Sequence, residues 1–277
     1  DQYGFLHWHL AFLDVFGVRG GFDVVLGNPP WEKVQFTEKE FFAARAPEIA
    51  DLAGAKRKAA IANLQTEDPS LWEVYENALR QADGEGHFIR TSGRFPLCGQ
   101  GRVNTYAVFA EVMRDALAPA GQLGVIVPTG IATDDTTKHF FSAVVTGRSL
   151  RSLYDFVNAE GMFPTVDRTV RFCLLTIVGV EARVESADFG FLLRTPRELA
   201  DPERRFSLSA DDLKLMNPNT GTAPIFRTRR DAEIVRTIYR KVPVLVREGA
   251  SAESPWRIEF RQGHFNMTSD SHLFRTA

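Results

Sequence analysis

The stretch "GFDVVLGNPPWEKV", Gly21 to Val34, decides how this chain reads. Its first half, "FDVVLG" from Phe22 to Gly27, is a short apolar, β-branched run closed by a glycine, the pattern of a strand covered on both faces in a parallel sheet. The run stops at Asn28, Pro29, Pro30 and Trp31. Asn before Pro initiates turns and Pro fixes φ, so the plainest role for these residues is to turn the chain and pack one aromatic ring. Position adds a second role. A turn directly after a buried strand lies at the C-terminal edge of the sheet, where open α/β folds bind their ligands.

The residue types suit one kind of chemistry. An exocyclic amino group conjugated to an aromatic ring is a poor nucleophile because its lone pair is delocalised. Two acceptors aimed at its hydrogens favour a more tetrahedral nitrogen and free that lone pair. The side-chain oxygen of Asn28 is one acceptor. The backbone carbonyl of Pro29 is another, held by the locked φ of a residue with no competing N–H. Trp31 adds a flat face on which a planar base stacks.

Outward from this turn, the pattern alternates helix and strand. "NTYAVFAEVMRDALAPAG" places Tyr106, Phe109, Val112, Met113, Ala116 and Leu117 at helical spacing, and "QLGVIVP" (Gln122 to Pro128) repeats the buried-strand pattern. "DDTTKHFFSAVVTG" predicts a helix ending at Gly147, and "LRSLYDFVN" and "TVRFCLLTIVG" predict two strands with no helix between them, hence a final antiparallel strand. Between Thr37 and Ala82, "TEKE" and "SLWE" have capping-box form and predict two or three helices joined near "TEDPS", a lid or wall beside the turn. From Glu181 a Pro-, Arg- and Asp-rich composition breaks the rhythm, so a boundary falls near residues 180–205.

Bulk properties set limits. At 277 residues, 44% hydrophobic and with a formal net charge of −2, the chain has room for a sizeable core and is no wholesale electrostatic binder of polyanions. Its two cysteines, Cys98 and Cys173, support neither a disulfide framework nor a cysteine zinc site, which fits a cytoplasmic location. No apolar run reaches the roughly 18 residues of a membrane span. The chain begins with Asp and ends on "DSHLFRTA", and reads as an excerpt of a longer protein.

"FDVVLGNPPW" resembles the fourth conserved motif of the methyltransferases that modify adenine N6 in DNA. The preceding "FLHWHLAFLDVF", the block "GRVNTYAVFAEVMRDALAPAGQLGVIVPTGIATDDTTKHFF" and the block "LYDFVNAEGMFPTVDRTVRFCLLTIVG" resemble segments of the large single-chain enzymes of type IIG-like restriction–modification and phage-defence systems. "MNPNTGTAPIFRTRRDAEIVRTIYRKVPVL" and "NMTSDSHLFRT" are similar to the region where those enzymes pass into target recognition. The resemblance implies an α/β fold: the C-terminal half of a Rossmann-like S-adenosylmethionine-dependent methyltransferase sheet with a helical insertion, followed by the start of a target-recognition domain. Residues 1–180 would be the partial catalytic domain, 181–205 a linker and 206–277 the start of target recognition.

The same resemblance implies that Asn28, Pro29, Pro30 and Trp31 form the catalytic turn, with Trp31 and Phe163 covering the two faces of a flipped base. Asn28 and Phe109 would lie towards the cofactor, although core packing explains the spacing of Phe109 as well. Implied partners are double-stranded DNA and other subunits of a restriction or defence system, with no membrane. Family members bind S-adenosylmethionine through a glycine-containing turn and an acidic residue upstream of this motif, and the 27 residues before Asn28 have no room for them. The chain alone is therefore expected to be inactive. Methylation of RNA bases or of protein glutamine, and a noncatalytic DNA-binding or assembly role, stay open.

Weaker signals complete the reading. Arg227, Arg229 and Arg230 precede a predicted helix that also carries Arg236, Arg240 and Lys241, and are candidates for phosphate contact or for a solvated face. His264 and His272 have no zinc-like spacing, and "TDDTTK" reads as helix-start chemistry, so no metal site is expected. Cys173 falls in a predicted strand as inert packing.

Overall fold

The run "QLGVIVP" owes its place to the length of its apolar pattern, which pairs on both sides. In the computed structural model, which describes residues 6–248, 255–258, 263 and 266–275, six strands form one mixed sheet. They are β1 (Phe22–Gly27), β2 (Leu117–Pro128), β3 (Leu150–Val157), β4 (Arg171–Val178), β5 (Ser186–Leu193) and β6 (Phe206–Ser209), in the order β1-β2-β4-β3-β5-β6. β1 runs parallel to β2, and β3 parallel to β5. β4 inserts antiparallel between β2 and β3, so the expected antiparallel strand is present but is not the final one, since β5 and β6 follow it. Leu123, Val125 and Val127 of β2 and Cys173, Leu175 and Ile177 of β4 are buried in one apolar cluster.

Regular pairing of β2 starts at Gln122, which faces Val24 on one side and Val178 on the other, so the residues from Leu117 to Gly121 form an irregular entry to the strand. That entry is why Gly21 is a glycine. Its φ is +150°, and a Cβ there would lie 2.5 Å from the Leu117 carbonyl carbon. Before it, α1 (Trp8–Ala11) and α2 (Leu13–Arg19) set Phe12 and Phe16 edge-on to Phe22, with ring centroids 5.5 and 5.3 Å away.

Two expectations need correction. β1 was expected to be covered on both faces, but it is an edge strand with Val24 64% and Leu26 79% exposed. Its apolar run matches a central strand because composition does not report which neighbours are present. The segment 181–205, expected as a linker, instead carries β5 into the sheet, followed by the turns Pro196–Ala200 and Pro202–Arg204. Phe189, Phe191, Phe206 and Leu208 join the main core, so charged residues in the intervening turns had masked the apolar alternation of the strands.

The insertion has four helices and runs further than expected: α3 (Glu38–Ala43), α4 (Pro47–Ala50), α5 (Gly54–Glu67) and α6 (Pro69–Thr91). It holds a core of its own around Phe41, Phe42, Ile49, Ile61, Leu64 and Tyr75. Neither expected cap forms. Thr37 makes no side-chain cap bond, and α6 starts before the Ser70 cap that "SLWE" implied, with Asp68 accepting from the Leu71 N–H at 3.0 Å and Pro69 at the first helical position. The chain then returns through α7 (Thr105–Asp115), β2, α8 (Gly130–Thr133), α9 (Lys138–Thr146) and β3. Beyond β6 come α10 (Ala210–Met216) and α11 (Arg229–Lys241), each opened by a complete capping box, Ser209 with Asp212 and Thr228 with Asp231.

Candidate functional site

The Asn-Pro-Pro-Trp turn leaves the sheet where Gly27 of β1 pairs with Val125 of β2. Asn28 is exposed and Pro29 buried. The turn is pinned by a residue that the sequence reading passed over. The Thr105 hydroxyl, at the first position of α7, donates to the Pro30 carbonyl at 2.6 Å and accepts from the Glu32 N–H at 3.0 Å. The Thr105 N–H donates to the Glu32 carbonyl at 2.9 Å, and the Val34 N–H to the Val103 carbonyl at 3.0 Å. The backbone is thus fixed on both sides of Trp31. No local pattern announces this latch, because its partners lie 73 and 75 residues apart in the chain. Among the described residues nothing bonds to the Asn28 carboxamide or to the Pro29 carbonyl, so these two acceptors are free while that of Pro30 is tied off.

Trp31 meets a group of phenylalanines. Its ring lies 6.2 Å from Phe172 at 28° and 5.7 Å from Phe163 at 70°, and Phe163 stands edge-on to Phe172 at 4.9 Å. Phe172 in turn stacks on Phe156 of β3. The loop bearing Phe163 is held by buried Asn158, which accepts from the Phe163 N–H at 3.0 Å and donates to the Phe163 and Val166 carbonyls at 3.0 and 2.9 Å. Trp31 and Phe163 therefore lie together, edge to face and in contact. The indole Nε1 of Trp31 is buried with no hydrogen-bond partner among the described residues, an arrangement that costs about 1–3 kcal/mol.

Beside these rings a buried carboxylate ties the strand ends together. Asp155 of β3 accepts from the Thr129 hydroxyl at 2.5 Å, from Arg171 Nε and Nη2 at 3.1 and 2.6 Å, and from the Leu192 N–H at 2.8 Å. Four segments thus share one anion: the end of β2, then β3, β4 and β5. Further along β3 the Tyr154 hydroxyl donates to Asp188, which also pairs with Arg205; burial and then this bond push the Tyr154 hydroxyl above its ordinary range. Burial likewise pushes up the thiols of Cys98 and Cys173, which agrees with the packing role expected of Cys173.

The remaining candidates are spread out. Phe109 lies one helical turn after Thr105 on α7 and is 43% exposed, so core packing does not explain it; Glu111 is buried instead and accepts from the Leu97 and Cys98 N–H groups. Arg227, Arg229 and Arg230 are exposed at the start of α11 and just before it, in the chain after β6, which is the edge strand opposite β1. Arg236 and Arg240 turn to buried Asp212 at 3.8 and 3.1 Å. His272 is exposed in a short turn, Ser271–Leu273, and His264 lies outside the described residues. Among the described residues no cluster of three or more His, Cys, Asp or Glu is placed to hold a metal ion, and no helix is long and apolar enough to cross a membrane.

The described residues do not form a whole cradle for S-adenosylmethionine. Gly20 and Gly21 sit at the far end of β1 from Asn28, closed against Pro119 and Leu117. The cavity next to the turn, about 370 Å³, is lined by Glu32 to Thr37, by Phe41 and Glu85 of the insertion and by Thr105, and excludes Asn28, Trp31 and Phe109.

No family model matches the chain, and no curated protein matches it. Solved structures do. It is similar to a type I restriction–modification system methyltransferase subunit from Streptococcus thermophilus at 11% identity, covering 73% of this chain and 37% of that one, with a TM-score of 0.40. It is similar to a chain of a type I restriction–modification assembly at 13% identity, covering 81% and 43%, TM-score 0.41, and to a type IIG restriction endonuclease at 17% identity, covering 58% and 18%, TM-score 0.32. The chain spans less than half the length of each.

Proposed function

We propose that this chain carries the target-amine half of a DNA methyltransferase active site, one that modifies adenine at N6. The observation that carries the reading is the Asn28–Pro29 pair: two free acceptors at the C-terminal end of a strand, on a turn whose neighbouring carbonyl is tied to Thr105. An exocyclic amino group brought to this turn would donate one hydrogen to the Asn28 oxygen and the other to the Pro29 carbonyl. Losing planarity, its nitrogen would present the lone pair to a methyl donor. The resemblance assigns that donor as S-adenosylmethionine, which supplies the methyl group; the described residues near Asn28 would contribute only a side wall to it, with Phe109 as the candidate. Because a paired base cannot reach the turn, adenine would be flipped from the duplex, at an unstacking cost of a few kcal/mol, and held against Trp31. Sequence choice would come from base-edge contacts of a target-recognition region.

The test is methyl transfer from labelled S-adenosylmethionine to duplex DNA by the chain in its full-length context. N6-methyladenine is the expected product, and Asn28→Ala should lower the rate by about 10²-fold or more, as loss of one preorganised polar contact to a reacting group does. Transfer to RNA or to protein glutamine, with DNA left unmodified, would replace the substrate in this reading.

A further inference from the structure

A base sandwiched between two parallel rings needs them about 7 Å apart, two van der Waals contacts in series. Trp31 and Phe163 are 5.7 Å apart at 70°, and Phe163 closes on Phe172 at 4.9 Å, so no planar ring fits between them as they stand. The turn cannot widen by moving its backbone, because Thr105 holds it at Pro30 and Glu32 and Asn158 holds Phe163. Rotation of the side chain is the freedom left. The indole also has a reason to rotate, since its N–H is buried and has no hydrogen-bond partner among the described residues.

We infer that in the free protein Trp31 and Phe163 plug the aromatic slot with each other, and that a planar ring enters only as the Trp31 indole turns out and brings its N–H to an acceptor. Trp31 is then more than a platform. Its N–H, idle while the slot is plugged, becomes a donor that favours rings presenting an acceptor at their rim. The inference deepens the reading above, since it concerns the ring which that reading places here. It differs from simple stacking on the outer face of Trp31, which would leave the N–H buried.

Nuclear magnetic resonance of the chain labelled with ¹⁵N tests it, with the Trp31 indole signal identified by its loss in Trp31→Phe and adenosine as the probe. Without ligand, the Trp31 indole N–H should exchange with solvent at least about tenfold more slowly in the wild type than in Phe163→Ala. Phe163→Leu keeps an apolar side chain on the Asn158 loop and should give the same direction, while unchanged indole signals from Trp8, Trp72 and Trp256 report an intact fold. Adenosine should move the Trp31 indole signal to the range of a hydrogen-bonded N–H, together with the Asn28 side-chain amide signals. Equal exchange in the wild type and both Phe163 variants overturns the plug. So does adenosine that moves the Asn28 amide signals and leaves Trp31 in place. Faster exchange in the variants with no response to adenosine upholds the plug and counts against the adenine reading instead.

Discussion

At one edge of the sheet β1 leaves Val24 and Leu26 mostly exposed; at the other, β6 buries Phe206 and Leu208 beside α10 and α11. β1 carries the longer apolar run and is the one left open, while β6 alternates Phe and Leu with two serines. What separates them is the covering. Two capped helices follow β6 and close over it, whereas α1 and α2 meet β1 at its start, at Phe22 and, through the Arg19–Asp23 ion pair, at Asp23. The candidate turn lies at the open edge, so its rigidity is borrowed from inside the fold, through Thr105 and Asn158, rather than from covering layers. A site that must admit a ligand gains from this arrangement, because a fixed backbone and the exposed Asn28 side chain coexist there.

The comparison ranks substitutions. Asp155→Ala, which strands Arg171 and orphans the Thr129 and Leu192 donors between the two edges, should cost about 4 kcal/mol in urea unfolding. Phe206→Ala, at the covered edge, should cost about 3 kcal/mol because it opens a cavity beside Phe189, Phe191 and Phe226. If that loss were under about 1 kcal/mol, the covered edge would be no better packed than the open one. Thr228→Ala removes the cap of α11 and should cost about 1 kcal/mol, read as a lower thermal midpoint. Leu26→Thr, at the open edge, should change stability by less than about 0.5 kcal/mol. A large loss there would mean that something covers β1 in solution, and the contrast between the edges would fail.

Much of this was legible in the residues. Periodicity placed β1, the regular part of β2, the β3–β4 pair and the helix that became α11, because each carries its apolar residues as a short continuous run or at helical spacing. The Asn28–Trp31 turn was legible for the same reason, as an abrupt stop after an apolar run. The segment 181–205 was not, since polar turn residues there outnumber the cues of β5. The exposure of Phe109 was not legible, because helical spacing gives the phase of a face only when that face is wholly apolar, and here Glu111 takes a core position by accepting from two backbone N–H groups.

By itself, the sequence determined which residues could do chemistry: a carboxamide, a proline carbonyl and an aromatic ring held in order by local covalent geometry. Only the tertiary structure decided which of those groups stay free and which are occupied. That choice rests on hydrogen bonds and ring contacts between residues far apart in the chain. Thr105 silences the Pro30 carbonyl, Asn158 sets Phe163 against Trp31, and Asp155 locks the strand ends beside them. Such contacts form only once the sheet has brought its strands together, and no local pattern of residues encodes them.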